Sequence, residues 1–213
     1  ISMFRNRLSI EADVYYKKTK DMLLHADVPS QIGSYRQWQN IGQVDNKGFE
    51  LTINTVNIQK RNFTWSTSLN FNLNRNKVVS LGDVSSIPVE VAGGHITEVG
   101  RVMVGHPIGS GWGYVFDGIY QQSDFDERGN LKEGVPSFAG ITVKPGDMKF
   151  KDIAGNDNVI YPNNDKTVIA NSDPKHFGGM TNSFTFKNFD LSFMFQWSYG
   201  NDIINIGRYR YEG

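Results

Sequence analysis

The stretch RNFTWSTSLNFNLNRNKVVSL, residues 61–81, decides the fold. Phe63, Trp65, Leu69, Phe71 and Leu73 fall on one side of an alternation, and Thr64, Ser66, Ser68, Asn70, Asn72 and Asn74 fall on the other. Only Thr67 dilutes the apolar side. Successive side chains of a strand point to opposite faces, so period two reads as a strand; a helix of this spacing would be apolar all round. The polar face carries no Lys or Glu between Ser66 and Asn74, whereas the water-facing surface of a soluble sheet is usually rich in charge. Hydrocarbon on one side and a wet lumen on the other would satisfy both faces, as in a transmembrane β-barrel.

The pattern recurs along the chain. Leu8, Ile10, Ala12, Val14 and Tyr16 alternate with Ser9, Glu11, Asp13, Tyr15 and Lys17, and Phe49, Leu51 and Ile53 alternate with Glu50, Thr52 and Asn54. Phe184 and Phe186 alternate with Ser183, Thr185 and Lys187, and Leu191, Phe193, Phe195, Trp197 and Tyr199 with Asp190, Ser192, Met194, Gln196 and Ser198. Strands are therefore expected near residues 7–17, 48–56, 62–75, 181–187 and 189–199. Their connections alternate between long and short. Segments 20–46 and 82–180 are long; NIQKRN (57–62) and Asn188 are short. Antiparallel strands would gather both short turns at one end and both long segments at the other, the asymmetry of a barrel with short periplasmic turns and long extracellular loops. Eleven residues at roughly 3.3 Å each, tilted by about 40°, rise about 28 Å, against an apolar band about 25 Å tall. Trp65 near the turn end, and Trp197 and Tyr199 near the loop end, suit the two aromatic girdles of such a barrel.

Composition agrees with β structure and excludes several functions. The 14 Phe, 9 Tyr, 4 Trp and 22 Gly of the 213 residues favour strands and turns. Lys and Arg number 22, as do Asp and Glu, which argues against a nucleic-acid partner, because phosphate binding draws on a basic surplus. The absence of cysteine removes disulfides, thiolate zinc sites and thiol nucleophiles. No apolar run is long enough for a transmembrane helix, which leaves strands as the route across a bilayer. The chain begins at Ile1 and ends in RYRYEG, and both ends read as cuts within a longer polypeptide.

The long segment 82–180 has its own organisation. GHPIGSGWGYVFDGIY (105–120) predicts a strand over 114–120; its glycines miss the GxGxxG spacing and no helix follows, so it is no phosphate cradle. DFDERGNLKEG (124–134) reads as a solvated tip. In 152–165, Asp152, Ala154, Asn156 and Asn158 occupy the alternating positions of a calcium loop. Such a loop wants Gly at its sixth position and an acid at its twelfth; here these are Asp157 and Asn163, and Asp165 falls too late. A hydrogen-bonded Asx turn is the reading, and no cofactor is expected. If calcium were held, its ligands would come from Asp152, Asn156, Asp157 and Asp165. His25, His95, His106 and His176 are scattered, with no HExxH spacing and no GxSxG elbow, so the chain is not read as an enzyme.

Six pieces carry a family resemblance: RLSIEADVYYKKTKDMLL (7–24), NIGQVDNKGFEL (40–51), FTWSTSLNFNLNRNKVVSL (63–81), VGHPIGSGWGYVFDGIYQ (104–121), PGDMKFKDIAGND (145–157) and DPKHFGGMTNSFTFKNFDLSFMFQWSYGNDIIN (173–205). In this order they resemble the C-terminal half of the barrel in SusC/RagA-type TonB-linked outer-membrane proteins of the Bacteroidetes. DIAGNDNV departs from the family's DxNGDGxI-like loop. The resemblance implies an all-β fold: an antiparallel transmembrane β-barrel segment with long extracellular loops, part of a 22-stranded barrel in the bacterial outer membrane, in contact with its lipid. It implies a plug, outside this chain, that touches TonB, and import of oligosaccharides, or sometimes peptides, under a SusD-like surface lipoprotein acting as a lid. Trp38, Trp112 and Tyr114 in the long segments could stack on sugar rings; loop packing or lid contact is the other reading for each. The competing fold is a soluble β-sandwich carbohydrate-binding module whose Phe and Trp faces meet each other.

Overall fold

The computed structural model describes residues 1–27, 36–90, 98–155, 157–205 and 207. Its largest unit is one six-stranded antiparallel sheet. The strands are β1 (Ser2–Met3), β2 (Leu8–Thr19), β5 (Gln43–Lys60), β6 (Phe63–Ser80), β15 (His176–Phe186) and β16 (Phe189–Tyr199), in the order β1-β2-β5-β6-β15-β16. Alternation sorts the side chains by register. Ile10, Ile53, Leu69, Met180 and Phe195 form one row across the sheet, and Ala12, Leu51, Phe71, Gly178 and Trp197 the next. On the opposite face lie the rows Glu11–Thr52–Asn70–Gly179–Gln196 and Asp13–Glu50–Asn72–Phe177–Ser198.

The apolar face has no core beneath it. The buried hydrophobic residues among those described are Val44, Val78, Leu81, Tyr120, Phe125 and Ile160, and none lies in the middle of a strand of this sheet. Val14, Leu191 and Phe195 are 83%, 62% and 59% exposed. A soluble sheet would cover that face with a second layer; here the face is left for hydrocarbon, which excludes the sandwich. Six strands do not close a barrel. β16 and most of β2 present unpaired backbone edges that lipid cannot satisfy, so neighbouring strands must complete the wall.

The observed strands outrun the expected ones at the end with the long segments. β5 starts at Gln43 and β6 runs to Ser80, because Val44, Val78 and Leu81 pack with Met22, Leu24, Ile87 and Val102 in a rim cluster. A register shift between Val56 and Ile58 is a bulge that transfers Ile58 to the apolar face, opposite Trp65.

The long segments fold on themselves. β3 (Leu23–Asp27) and β4 (Arg36–Asn40) form a hairpin. β7 (Ser86–Glu90), β8 (Glu98–Met103), β9 (Ser110–Tyr114) and β14 (Lys166–Asn171) make a four-stranded sheet in the order β14-β9-β8-β7. The strand expected over 114–120 is divided: β9 ends at Tyr114, and β10 (Phe116–Ile119) leaves to pair with β12 (Met148–Phe150). β11 (Ser137–Phe138) and β13 (Val159–Ile160) form a short parallel pair.

Candidate functional site

The polar face of the sheet and the rim above it gather the side chains able to hydrogen-bond a ligand. Asn70, Asn72 and Asn74 of β6 line up with Thr52 and Glu50 of β5 and with Gly179 of β15. Tyr15 folds its ring over Gly48, where a Cβ would sit 2.1 Å from the ring, and its hydroxyl donates to Asn74 Oδ1 at 3.3 Å. At the rim, a polar cleft of about 480 Å³ is lined by residues that include Asn74, Asn76, Asn171, Asp173, Lys175 and Asp202. Asn76 ties it together: its Nδ2 donates to Asp173 Oδ2, and its Oδ1 accepts the Ile108 amide at 2.8 Å. Asp202 accepts the Asn171 amide at 2.8 Å. These bonds join the end of β6 to the loop layer.

Trp112 and Tyr114 sit on β9, two residues apart and so on one face. The Arg101 guanidinium lies 5.0 Å from the Trp112 ring and is held by Glu98 at 2.6 Å; Lys166 reaches the same carboxylate at 3.6 Å. Tyr114 meets Phe138 and Phe150, each with ring centres 5.3 Å away, and Lys166 lies 5.4 Å from its ring. Burial, then the charge of Asp165, push the Tyr114 hydroxyl pKa up. Trp38 stands apart, on the β3–β4 hairpin opposite His25, and is 66% exposed.

Asp152, Asp157 and Asp165 share one loop, and the backbone occupies their oxygens. Asp165 is fully buried; its Oδ1 accepts the amides of Ile153 and Ala154 at 2.8 and 2.9 Å, and its Oδ2 that of Tyr161 at 2.7 Å. Burial raises its pKa, but the amides of Tyr161, Ile153 and Ala154 outweigh that and set it below the usual 3.8. Asp152 accepts the amides of Gly155 and Asn158 at 3.1 and 2.9 Å, and Asp157 that of Val159 at 3.0 Å. This geometry is that of an Asx-knotted loop, with the carboxylates turned to N–H donors. Asn156, the remaining candidate ligand, lies outside the described residues. So does His95. His176 is stacked between Phe71 and Tyr199 at 5.4 and 5.1 Å and accepts Trp197 Nε1–H on Nδ1 at 3.2 Å, a packing role on the apolar face.

Sequence reading missed a polar knot on the lipid side. Asn182, Thr67 and Thr55 share one row of the apolar face. Asn182 is 6% exposed, and its Oδ1 accepts both Trp65 Nε1–H at 3.0 Å and the Thr67 hydroxyl at 2.8 Å. Asn57, the residue at the β5 bulge, donates to Thr67 and accepts from Thr55. The signal was present as Thr67 breaking the apolar column and Asn182 standing between Met180 and Phe184.

Comparison with known proteins places these features. The family model described as TonB dependent receptor-like, beta-barrel, matches residues 1–139. TonB-dependent receptor P3 of Formosa agariphila is 37% identical over 207 residues, covering 96% of this chain and 20% of the relative. TonB-dependent receptor SusC of Bacteroides thetaiotaomicron is 31% identical over 202 residues, covering 92% of this chain and 18% of the relative. Among solved structures, the RagAB peptide importer in its open-open state superposes with a TM-score of 0.70 at 22% identity, over 94% of this chain and 19% of that one. The chain spans about a fifth of the length of the relatives it matches.

Proposed function

Because the chain belongs to the TonB-dependent receptor β-barrel family, we propose that it forms part of the wall and extracellular vestibule of an outer-membrane importer that takes up oligosaccharides. In this reading TonB acts through a plug outside the chain, and a SusD-like lipoprotein covers the vestibule. The observation that carries the oligosaccharide assignment is the chemistry of the lumen and rim. Asn, Gln, Ser and Thr dominate the inward positions of β6, β15 and β16, and Asn74, Asn76 and Asn171 enter the rim cleft beside the charged Asp173, Lys175 and Asp202. Such neutral groups both donate and accept, which suits an uncharged polyol. Trp38, Trp112 and Tyr114 are the proposed stacking residues, and Trp38 is the most exposed of the three. A peptide is the second reading, favoured by the likeness in fold to the RagAB peptide importer and by Glu11, Asp13 and Glu50 on the lumen face.

The test uses the full-length transporter in a strain lacking its own copy. Labelled oligosaccharides of graded length and peptides of matched size are offered, and TonB-dependent accumulation is measured. Oligosaccharide uptake without peptide uptake is expected; the reverse overturns the cargo assignment. Trp38→Ala should weaken oligosaccharide binding roughly threefold to tenfold, the value of one aromatic contact of about 0.5–1.5 kcal/mol. Unchanged affinity would remove Trp38 from the binding surface.

A further inference from the structure

Beyond the last apolar row, the outward face changes character. Val14, Phe49 and Leu73 lie opposite one another across β2, β5 and β6; one step towards the long segments come Tyr16, Lys47 and Arg75, and one step further Lys18, Asp45 and Lys77. The register of β5 against β6 shifts only between Gln43 and Val44 and between Val56 and Ile58, so both rows point to the same side as Phe49 and Leu51. All four cations are exposed. Asp45 is the one acid in the two rows, and it accepts the Tyr16 hydroxyl and Gln43 Nε2. The Lys18 and Lys47 ammonium groups lie 5.2 and 5.3 Å from the Tyr16 ring. Arg75 donates to the carbonyls of Asn74, Pro174 and Lys175, which fix its direction without neutralising it. The other acids of the same strands, Glu11, Asp13 and Glu50, face the lumen.

The height of these rows is set by the strand. Along β6, from Phe63 at the turn end to Leu73, opposite Phe49, there are five two-residue steps. At about 5 Å per step along the axis, this spans about 25 Å, the height of the apolar band of an outer-membrane barrel. Arg75 and Lys77 therefore stand about 5 and 10 Å beyond it on the same strand, at headgroup depth, with Lys47 and Lys18 in their rows on β5 and β2. Their end carries the long segments, which places them at the outer leaflet.

We propose that Lys18, Lys47, Arg75 and Lys77 form an outward belt that binds the phosphate groups of outer-leaflet lipid. Lys contributes point charge and Arg a forked donor for phosphate oxygens, and the aromatic ring of Tyr16 lies at the boundary where such rings anchor. The belt is continuous with the lipid-facing wall, which argues for a lipid rather than a soluble anion. The inference rests on the outer-membrane barrel reading.

The test compares the full-length protein with a K18Q/K47Q/R75Q/K77Q variant and a K17Q control, whose changed residue pairs with Asn46 on the lumen side. Each is delipidated in detergent and titrated with bisphosphorylated lipid A or its dephosphorylated form, with binding read by native mass spectrometry. Wild type and K17Q should bind the phosphorylated form, and the quadruple variant should lose at least about tenfold in affinity. Equal binding by all three proteins, or equal binding of both lipids, would overturn the belt. So would a quadruple variant that keeps its lipid but loses a co-purifying lipoprotein, since the face would then be a protein interface. Gel mobility that changes on heating checks the barrel separately: its loss in the wild type sinks the barrel reading, and its retention in the variant shows that folding survived.

Discussion

Asp165 has three amides to hold and is shut away from the protein surface. Its two oxygens take the N–H groups of Ile153, Ala154 and Tyr161, and only a carboxylate can accept from all three sides. Asp165→Asn would turn an N–H₂ group towards one of those donors. The expected cost is about 1–3 kcal/mol, read as roughly fivefold or greater acceleration of hydrogen exchange in a peptide covering 148–165 of the full-length protein. Unchanged exchange would mean that the loop does not depend on this carboxylate. The sign of the pH effect follows from the lowered pKa. Because the folded value lies below 3.8, the stabilisation is complete above that value and fades only as pH falls through the folded one. Between pH 7 and about 5, exchange corrected for its intrinsic rate should stay flat. Close approach makes Gly178 a different kind of requirement. A Cβ there would meet the Asn70 carbonyl oxygen at 2.3 Å and the Trp197 ring at 2.6 Å, and the first of these contacts is with backbone that no rotamer change can move.

At the scale of elements, the strand pairs carry an internal contradiction that the polar knot resolves. Asn182 and Thr67 lie two rows in from the turn end, on the lipid side, where an unsatisfied donor is expensive. Mutual hydrogen bonding makes them tolerable. Asn182→Leu should strand Trp65 Nε1–H and destabilise the barrel by about 1–2 kcal/mol, while Asn182→Leu with Trp65→Phe and Thr67→Val should recover most of that loss. Urea unfolding of the full-length protein in detergent reads both. A triple variant no more stable than the single one would show that the knot is not the source of the effect.

The same elements show what a sequence reading can reach. Five amphipathic strands were visible because period two survives wherever one face meets hydrocarbon. Their ends were not. Lys47 and Asp45, inside β5, end the apolar column short of the strand's start at Gln43, and the bulge near Asn57 inverts the alternation after Val56. The four-stranded loop sheet was hidden for another reason. Its strands have five or six residues each, and β14 finds β9 from more than fifty residues away, a pairing that no local pattern announces. Turn chemistry in 152–165 was readable because Asp and Asn act on their own neighbourhood. For Trp112 and Tyr114, the residue types were readable, but their neighbours Arg101, Phe138 and Phe150 came only with the structure.

For the whole molecule, a sheet with an apolar face and no core has one stable setting: a closed wall between hydrocarbon and a wet lumen. The edges of β2 and β16 need further strands, and the relatives, about five times as long as this chain, have room to supply them. Hydrophobic residues that are buried, such as Val78, Leu81 and Tyr120, gather at the rim and in the loops, so the extracellular parts carry a folded scaffold of their own above the membrane.

Spin labels at Phe71 and Asn72, placed one at a time in the full-length protein in a bilayer, test this division of surroundings most directly. The account predicts that oxygen, which concentrates in acyl chains, relaxes the label at position 71 strongly, and that a water-soluble nickel chelate relaxes the label at position 72. Equal response of both sites to both reagents would contradict it.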